Sequence, residues 1–419
     1  MTVSQAGNNI KRKRILEIDF WRGFALIVIL IDHVPRNGLD RLTPQNFGFS
    51  DAAEAFVFLS GVSVTLAYAP TLQKAGFGGL VKRCASRAAK LYLVQIAVVA
   101  CGVAIPLAAA KVVGDEGVAL GQGLSPFLNS PVSSLIRAAA LAYMPVFSGV
   151  LALYVVLMLW APPVIFLASR SPASALLASI AVYVAGRSRA GGDVDGWYFN
   201  PFAWQLVFAI GIICALRWRS GLPRPQGRLV VLAVAIILGA AILSIRAMGL
   251  RAVAFAHLDL VKSELGVMRL VHFLALAYVL AAVTAIEPWA ARMRRVVESG
   301  VGQSLQGMGR NSLLFFALGS VASAGGRSLM GAAHSLAAPY LLVHLIGLVY
   351  TAVAVVGMFA VVRRMEPTTG PLVRSTEIGD ALAVPMIDRG APVPPEKDSD
   401  LAPLLAPGAG PTKSSPTSI

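Results

Sequence analysis

Charge is scarce in this chain. Asp, Glu, Lys and Arg together make up 14% of its 419 residues, while apolar types make up 56%. Soluble domains carry nearer a quarter of their residues charged, so a soluble globular reading is excluded at the outset. Cysteine is almost absent. Cys84, Cys101 and Cys214 are far apart, without metal or redox spacing, which excludes a disulfide scaffold. The histidines form no His-x-x-x-His pair, so no zinc site is expected and no metal is called for. Short runs of strictly alternating hydrophobicity are missing too, which excludes a transmembrane barrel. Acidic residues are fewer than basic ones, 21 against 36. Such a bias can mark nucleic-acid binding. Here the bases cluster in short stretches between apolar runs. The positive-inside rule explains them, and no nucleic-acid partner is expected.

What the chain has in quantity is apolar runs of membrane-crossing length. They recur from Phe20 to Val362, most of them roughly the 20 residues that a bilayer requires. The expectation is an all-α, polytopic transmembrane helical bundle of about ten spans, with N- and C-termini cytoplasmic. The spans are placed at 16–34, 52–69, 91–112, 150–168, 173–186, 202–216, 229–246, 269–286, 312–324 and 339–362. Lys82, Arg83 and Arg87, then Arg217, then Arg292, Arg294 and Arg295 mark the inner side. The first run is no cleavable signal peptide, because Arg22 and Asp32 interrupt it and no small-residue cleavage site follows. Residues 1–13 form a cytoplasmic tail and 14–365 the membrane domain. Residues 366–419 are rich in Pro and Ser without helical period, so they are expected to be a disordered cytoplasmic tail. No internal repeat is visible, which weakens an inverted-repeat transporter reading.

Polar residues inside the first span carry the chemical interest. Asp19, Arg22, Leu26, Ile29 and His33 follow one another in steps of three and four, so they share a helix face. Arg22 and His33 are then about 16 Å apart along the axis. Ionisable groups in a span are costly and usually face the protein interior or a wet cavity. The structural alternatives for Arg22 are snorkelling and a salt bridge to Asp19, and a paired arginine can still face a cavity. Asp32 adjoins His33 but points about 100° away from it. Asp51 and Glu54 open the second span with capping-box spacing. Either would orient His33 if the two helix ends meet. Arg269 and His272 lie three residues apart at the outer start of the eighth span, with Lys262 just before. Asn200, Trp204 and Gln205 combine an aromatic face with amide groups, a mixture that suits sugars, whereas Trp197 and Tyr198 fit an interfacial belt. His257, His334 and His344 have no polar consort at helical spacing and read as structural.

These residues also carry a resemblance. The run 22-RGFALIVILIDH-33 fits the Arg-x10-His signature of the family 3 membrane acyltransferases. The longer texts 18-IDFWRGFALIVILIDHVPRN-37 and 46-NFGFSDAAEAFVFLSGVSVTLAY-68 resemble the OpgC family, membrane succinyltransferases of osmoregulated periplasmic glucans. The likeness recurs at 198-YFNPFAWQLVFAIG-211 and 268-MRLVHFLALAY-278. It implies a multi-pass protein of the bacterial inner membrane. Its activity would be O-acyl transfer from a cytoplasmic acyl-CoA, succinyl coenzyme A, to hydroxyls of a periplasmic glucan. The acyl-CoA is then a co-substrate rather than a permanently bound cofactor. Membrane lipid and glucan are the other expected partners.

Acyl transfer needs a base for the attacking hydroxyl and substrates held in line. For that chemistry neutral His33 is the expected base, with Asp32, Asp51 and Glu54 as the candidate carboxylates for its support, and Arg22, always charged and rich in donors, is expected to meet coenzyme A. Asn200, Trp204, Gln205, Arg269 and His272 are expected to meet the acceptor, and Arg269 and His272 read equally as bases that anchor the outer helix end at the interface. One departure stands out. Around 147-FSGVLALY-154 the family carries an Asp and a Pro where this chain has Gly149 and Ala152. Two other readings of the same polar residues stay open. One is a transporter or flippase for a polysaccharide or lipid-linked sugar, and the other is acylation of a different extracytoplasmic glycan.

Overall fold

The structure, a computed structural model, describes residues 16–144, 149–189, 197–218, 225–246 and 258–365. The two tails expected at 1–13 and 366–419, and His257, lie outside the described residues. The described residues are helical, with no β-strand among them. The helices are α1 (Leu16–His33), α2 (Ala52–Val113), α3 (Gly117–Leu120), α4 (Ser125–Asn129), α5 (Pro131–Ala139), α6 (Gly149–Arg170) and α7 (Pro172–Arg189). They continue with α8 (Pro201–Arg217), α9 (Gly227–Arg246), α10 (Val267–Thr284), α11 (Trp289–Glu298), α12 (Gly300–Arg310), α13 (Ser312–Ser335) and α14 (Tyr340–Met365).

Six of these are long and apolar enough to cross a bilayer: α2, α6, α9, α10, α13 and α14. Helix α8 is apolar but shorter. Helix α1 carries Glu17, Asp19, Arg22 and Asp32 among its 18 residues, which keeps it out of that set. Helix α2 is 62 residues long and contains one non-helical residue, Gly76, at φ 64° and ψ −172°. The second and third expected spans are therefore its two arms, and the basic stretch between them is helical rather than a loop. The expected count of about ten takes α2 twice and adds α1, α7 and α8.

The span expected at 312–324 runs further: α13 continues through Gly325, Gly326 and Arg327 to Ser335. A Cβ on Gly326 would come 2.9 Å from the Tyr350 ring and 3.0 Å from Val34, so the small residue serves close packing there.

In a bilayer, lipid tails are as apolar as leucine, so helices associate by close packing and polar contacts rather than by hydrophobic exclusion. Two glycine pairs show this. A Cβ on Gly61 would meet the Phe208 carbonyl oxygen at 2.2 Å, and one on Gly211 would meet that of Phe58 at 2.2 Å. The crossing of α2 and α8 is thus backbone against backbone on both sides. Gly23 and Gly309 do the same for α1 and α12, against the carbonyls of Leu305 and Asp19. Around these crossings Trp204, Phe208, Phe315, Leu26, Leu30 and Met158 are fully buried. Helix α10 packs mainly on α9 and only lightly on α2.

Candidate active site

At the end of the bundle that holds His33, the first turn of α2 organises a cluster of charges. Asp51 is the N-cap, and its Oδ1 accepts the Ala53 N–H at 2.8 Å, while Glu54 Oε2 accepts the Asp51 N–H at 2.9 Å. This is the capping box that the spacing predicts. The other two carboxylate oxygens turn to α10 and the segment before it. Lys262 Nζ lies 2.6 Å from Asp51 Oδ2, and Arg269 Nη2 reaches the same oxygen at 3.0 Å. Arg269 Nε donates to Glu54 Oε1 at 2.8 Å. Two carboxylates and two cations compensate one another, and Glu54 is completely buried. Burial alone would push the Asp51 carboxyl up. The charges of Lys262 and Arg269, with hydrogen bonds from Lys262 and the Ala53 N–H, hold it well below the usual carboxylate range. The converse holds for Lys262, where burial is outweighed by Asp51 and the ammonium is held above its ordinary value.

Lys262 arrives there on a tightly tied loop, 258–266. Arg187 grips Asp259 with both terminal nitrogens, at 2.6 and 2.8 Å, and Asp259 Oδ2 also accepts the Val267 N–H at 2.8 Å. Asn200 caps α8 through Oδ1, donates Nδ2 to Glu264 Oε2 at 2.7 Å, and donates its backbone N–H to the Ser263 carbonyl at 2.9 Å. The Trp204 indole donates to the carbonyls of Lys262 and Ser263, both at 3.1 Å. Gln205 donates instead to the Ser179 carbonyl at 2.7 Å. Asn200 and Trp204, expected to face the acceptor, thus bind the loop that aims Lys262, and Gln205 ties α8 to α7. All three are buried.

His33 and Asp32 close α1 nearby. His33 is half-buried, and its Nδ1 lies 2.6 Å from the Ile29 carbonyl. A carbonyl only accepts, so Nδ1 carries a proton, and in a neutral ring the lone pair is then on Nε2. That is the tautomer a base at Nε2 requires. Lys262, Arg327 and Asp51 lie within electrostatic reach of the ring. Asp32 turns to the segment between α1 and α2 and accepts from Gln45 Nε2 at 3.0 Å. One turn inside the other end of α1, Arg22 is buried, donates Nη2 to Ser312 Oγ on α13 and sits 4.0 Å from Asp19.

A cavity of about 520 Å³ occupies the gap between α1, α2 and α10, with α11 at one end. On α1 it is lined by Glu17, Ile18, Trp21, Phe24, Ala25 and Val28. That face lies roughly 120° around the helix from the Arg22–His33 stripe at about 100° per residue. Met293 and Arg294 line it beside Glu17, while Ser50 and Asp51 line it at the opposite end. Nearly everything between is apolar.

His272, on α10, sits over that opposite end, against Phe49. A Cβ on Gly48 would fall 2.4 Å from its Nε2, so a glycine is needed beneath the ring. Its Nδ1 receives the Ser50 N–H at 3.3 Å and lies 2.8 Å from Ser50 Oγ. A backbone N–H only donates, so Nδ1 is the acceptor here and the proton sits on Nε2, the reverse of His33.

Residues 14–364 match the family described as OpgC protein. The chain belongs to the OpgC family. No curated protein and no solved structure matches it. Membership of OpgC suggests a membrane acyltransferase acting on periplasmic glucans, and the apolar helices agree with a multi-pass membrane protein. No group of three or more His, Cys, Asp or Glu that could hold a metal occurs among the described residues. Two features of this OpgC chain escape sequence reasoning. Ser50 stands before a capping Asp, where serine is commonplace, and nothing in its neighbours announces His272. The cavity depends on how lightly α10 meets α2, which no local pattern records.

Proposed function

We propose that this protein is an integral inner-membrane O-acyltransferase that moves a succinyl group, or another short acyl group, from a cytoplasmic acyl-CoA to hydroxyls of a periplasmic glucan. About ten spans with both termini cytoplasmic place Glu17 and Arg294 toward the donor and His33, Ser50 and Asp51 toward the acceptor. The observation that carries the reading is the cluster of His33, Lys262, Arg269 and His272 around Ser50 and Asp51, which line one end of a cavity whose other end lies about 16 Å along α1, by the rise per residue. That length is about half the hydrocarbon thickness of a bilayer, so the donor's reactive end and the acceptor can meet within the protein.

In this reading neutral His33 takes the acceptor hydroxyl's proton at Nε2 as the oxygen attacks. The Asp51, Glu54, Lys262 and Arg269 network fixes the start of α2 against α10 rather than orienting His33, since each carboxylate oxygen already has a partner. Arg22 seats α1 on α13 through Ser312, and its buried Nε, which has no hydrogen-bond partner, is the donor left for coenzyme A.

The test is chemical. Periplasmic glucans from cells with and without this protein are compared by mass spectrometry, and purified protein is given succinyl coenzyme A with glucan. Acylated glucan only where the protein is present supports the reading. Glucan moved across the membrane, with no acylated product and no thioester consumed, refutes it in favour of a flippase.

A further inference from the structure

We propose that Ser50 and His272 form a nucleophilic dyad, and that the acyl group rests on Ser50 Oγ as an ester between donor and acceptor. The idea rests on the acyl-transfer reading and adds a covalent step to it. Four observations carry it. Ser50 Oγ is 2.8 Å from His272 Nδ1, the hydrogen-bond length that activates a serine. The Ser50 N–H on the same nitrogen fixes that nitrogen as the proton acceptor. Ser50 lines the end of the cavity, where a group entering from the Glu17 and Arg294 end would stop. Finally, His272 Nε2 is buried with no hydrogen-bond partner. A histidine retained only for packing is expected to satisfy both nitrogens, since a buried N–H left without a partner is destabilising.

The step balances without any further reagent. Ser50 Oγ attacks the carbonyl carbon of an acyl thioester, and its proton passes to His272 Nδ1. The C–S bond breaks, and the thiolate leaves with that proton as a thiol. The acyl group is then an ester of Ser50 and His272 is neutral again. The acceptor hydroxyl attacks the ester carbon, the bond from that carbon to Ser50 Oγ breaks, and the hydroxyl proton returns to Oγ by way of an imidazole. Splitting one displacement into two lets thiol and glucan occupy the site in turn. An apolar cavity suits this order, because water would hydrolyse the ester.

The experiment uses the purified full-length protein, given radiolabelled succinyl coenzyme A without glucan, quenched in acid and digested. The expected result is label on the peptide containing Ser50, stable at neutral pH and released by alkaline hydroxylamine, and chased off by adding glucan. Ser50→Cys should carry the label as a thioester, released by neutral hydroxylamine. His272→Gln should lower labelling by about 10²-fold or more, the usual contribution of a positioned base. Wild-type protein that acylates glucan but never carries label, even with rapid quenching, overturns the dyad and leaves the acyltransferase reading intact. So does folded Ser50→Ala protein that acylates glucan at the wild-type rate. Neither label nor acylated glucan from wild-type protein overturns both.

Discussion

Replacing Arg269 by Met tests the charge network that joins α2 to α10. Arg269 serves two carboxylates, with Nε at 2.8 Å from Glu54 Oε1 and Nη2 at 3.0 Å from Asp51 Oδ2. Asp51 would keep Lys262 at 2.6 Å, but Glu54, with no exposed surface, would lose its only cationic neighbour in hydrogen-bond range among the described residues. Stranding one member of a buried pair typically costs about 3–5 kcal/mol. A second route gives a similar figure. Glu54 could escape by taking up a proton, which at pH 7 costs about 3.7 kcal/mol from an ordinary glutamate pKa of about 4.3. Arg269→Met should therefore lose about 3–4 kcal/mol. The deficit should shrink by up to about 1.4 kcal/mol per pH unit as the solution is acidified, because protonation becomes cheaper. Adding Glu54→Gln to that variant removes the stranded charge and keeps an acceptor for the Asp51 N–H, so most of the loss should return. Denaturing-detergent titration in mixed micelles at pH 8, 7 and 5.5 reads these stabilities, and the double-mutant cycle isolates the coupling. An Arg269→Met protein within about 1 kcal/mol of wild type, or a double variant no more stable than the single, would refute the reasoning.

The Asp51–Lys262 pair should respond to pH only at the extremes. Asp51, held low, contributes stability that is present above about pH 4 and is lost as pH falls through its lowered value. Lys262, held high, contributes stability that is present below about pH 10.4 and is lost as pH rises beyond that. Unfolding measured between about pH 5 and 9 should therefore show no contribution from this pair, and a steep change at neutral pH would count against it. His33→Gln should fold and slow acyl transfer by about 10²–10⁴-fold, and the wild-type rate should fall at the acid pH that protonates His33; a wild-type rate in purified His33→Gln rejects the base role. Arg22→Lys should keep the pairing with Asp19 but not the fork of donors, so the apparent donor affinity should fall in protein that remains stable; unchanged affinity in folded Arg22→Ala removes Arg22 from donor binding. Cysteine labelling from outside, without the native cysteines, should mark position 45 and spare position 4, and the reverse pattern would invert the topology.

Chain order and hydropathy are enough to determine that this protein is helical and built for a membrane, because apolar runs of bilayer length have no other stable place. They also determine the capping box of Asp51 and Glu54, since a cap is a contact within four residues and needs no partner elsewhere. The Arg22–His33 stripe is legible for the same reason, being a property of one helix. What each stripe residue meets is not legible. Arg22 finds Ser312, 290 positions away, and Ser50 finds His272, 222 positions away. Asn200 and Trp204 look like sugar-binding residues by type, and only the fold shows their polar atoms engaged by the loop that delivers Lys262. The cavity belongs wholly to the tertiary structure. Glycine pairs draw α2 onto α8 and α1 onto α12 until backbones touch, while α10 leans on α9 instead. Empty space arises from which helices fail to meet, and a failure to pack leaves no mark on any single segment of sequence.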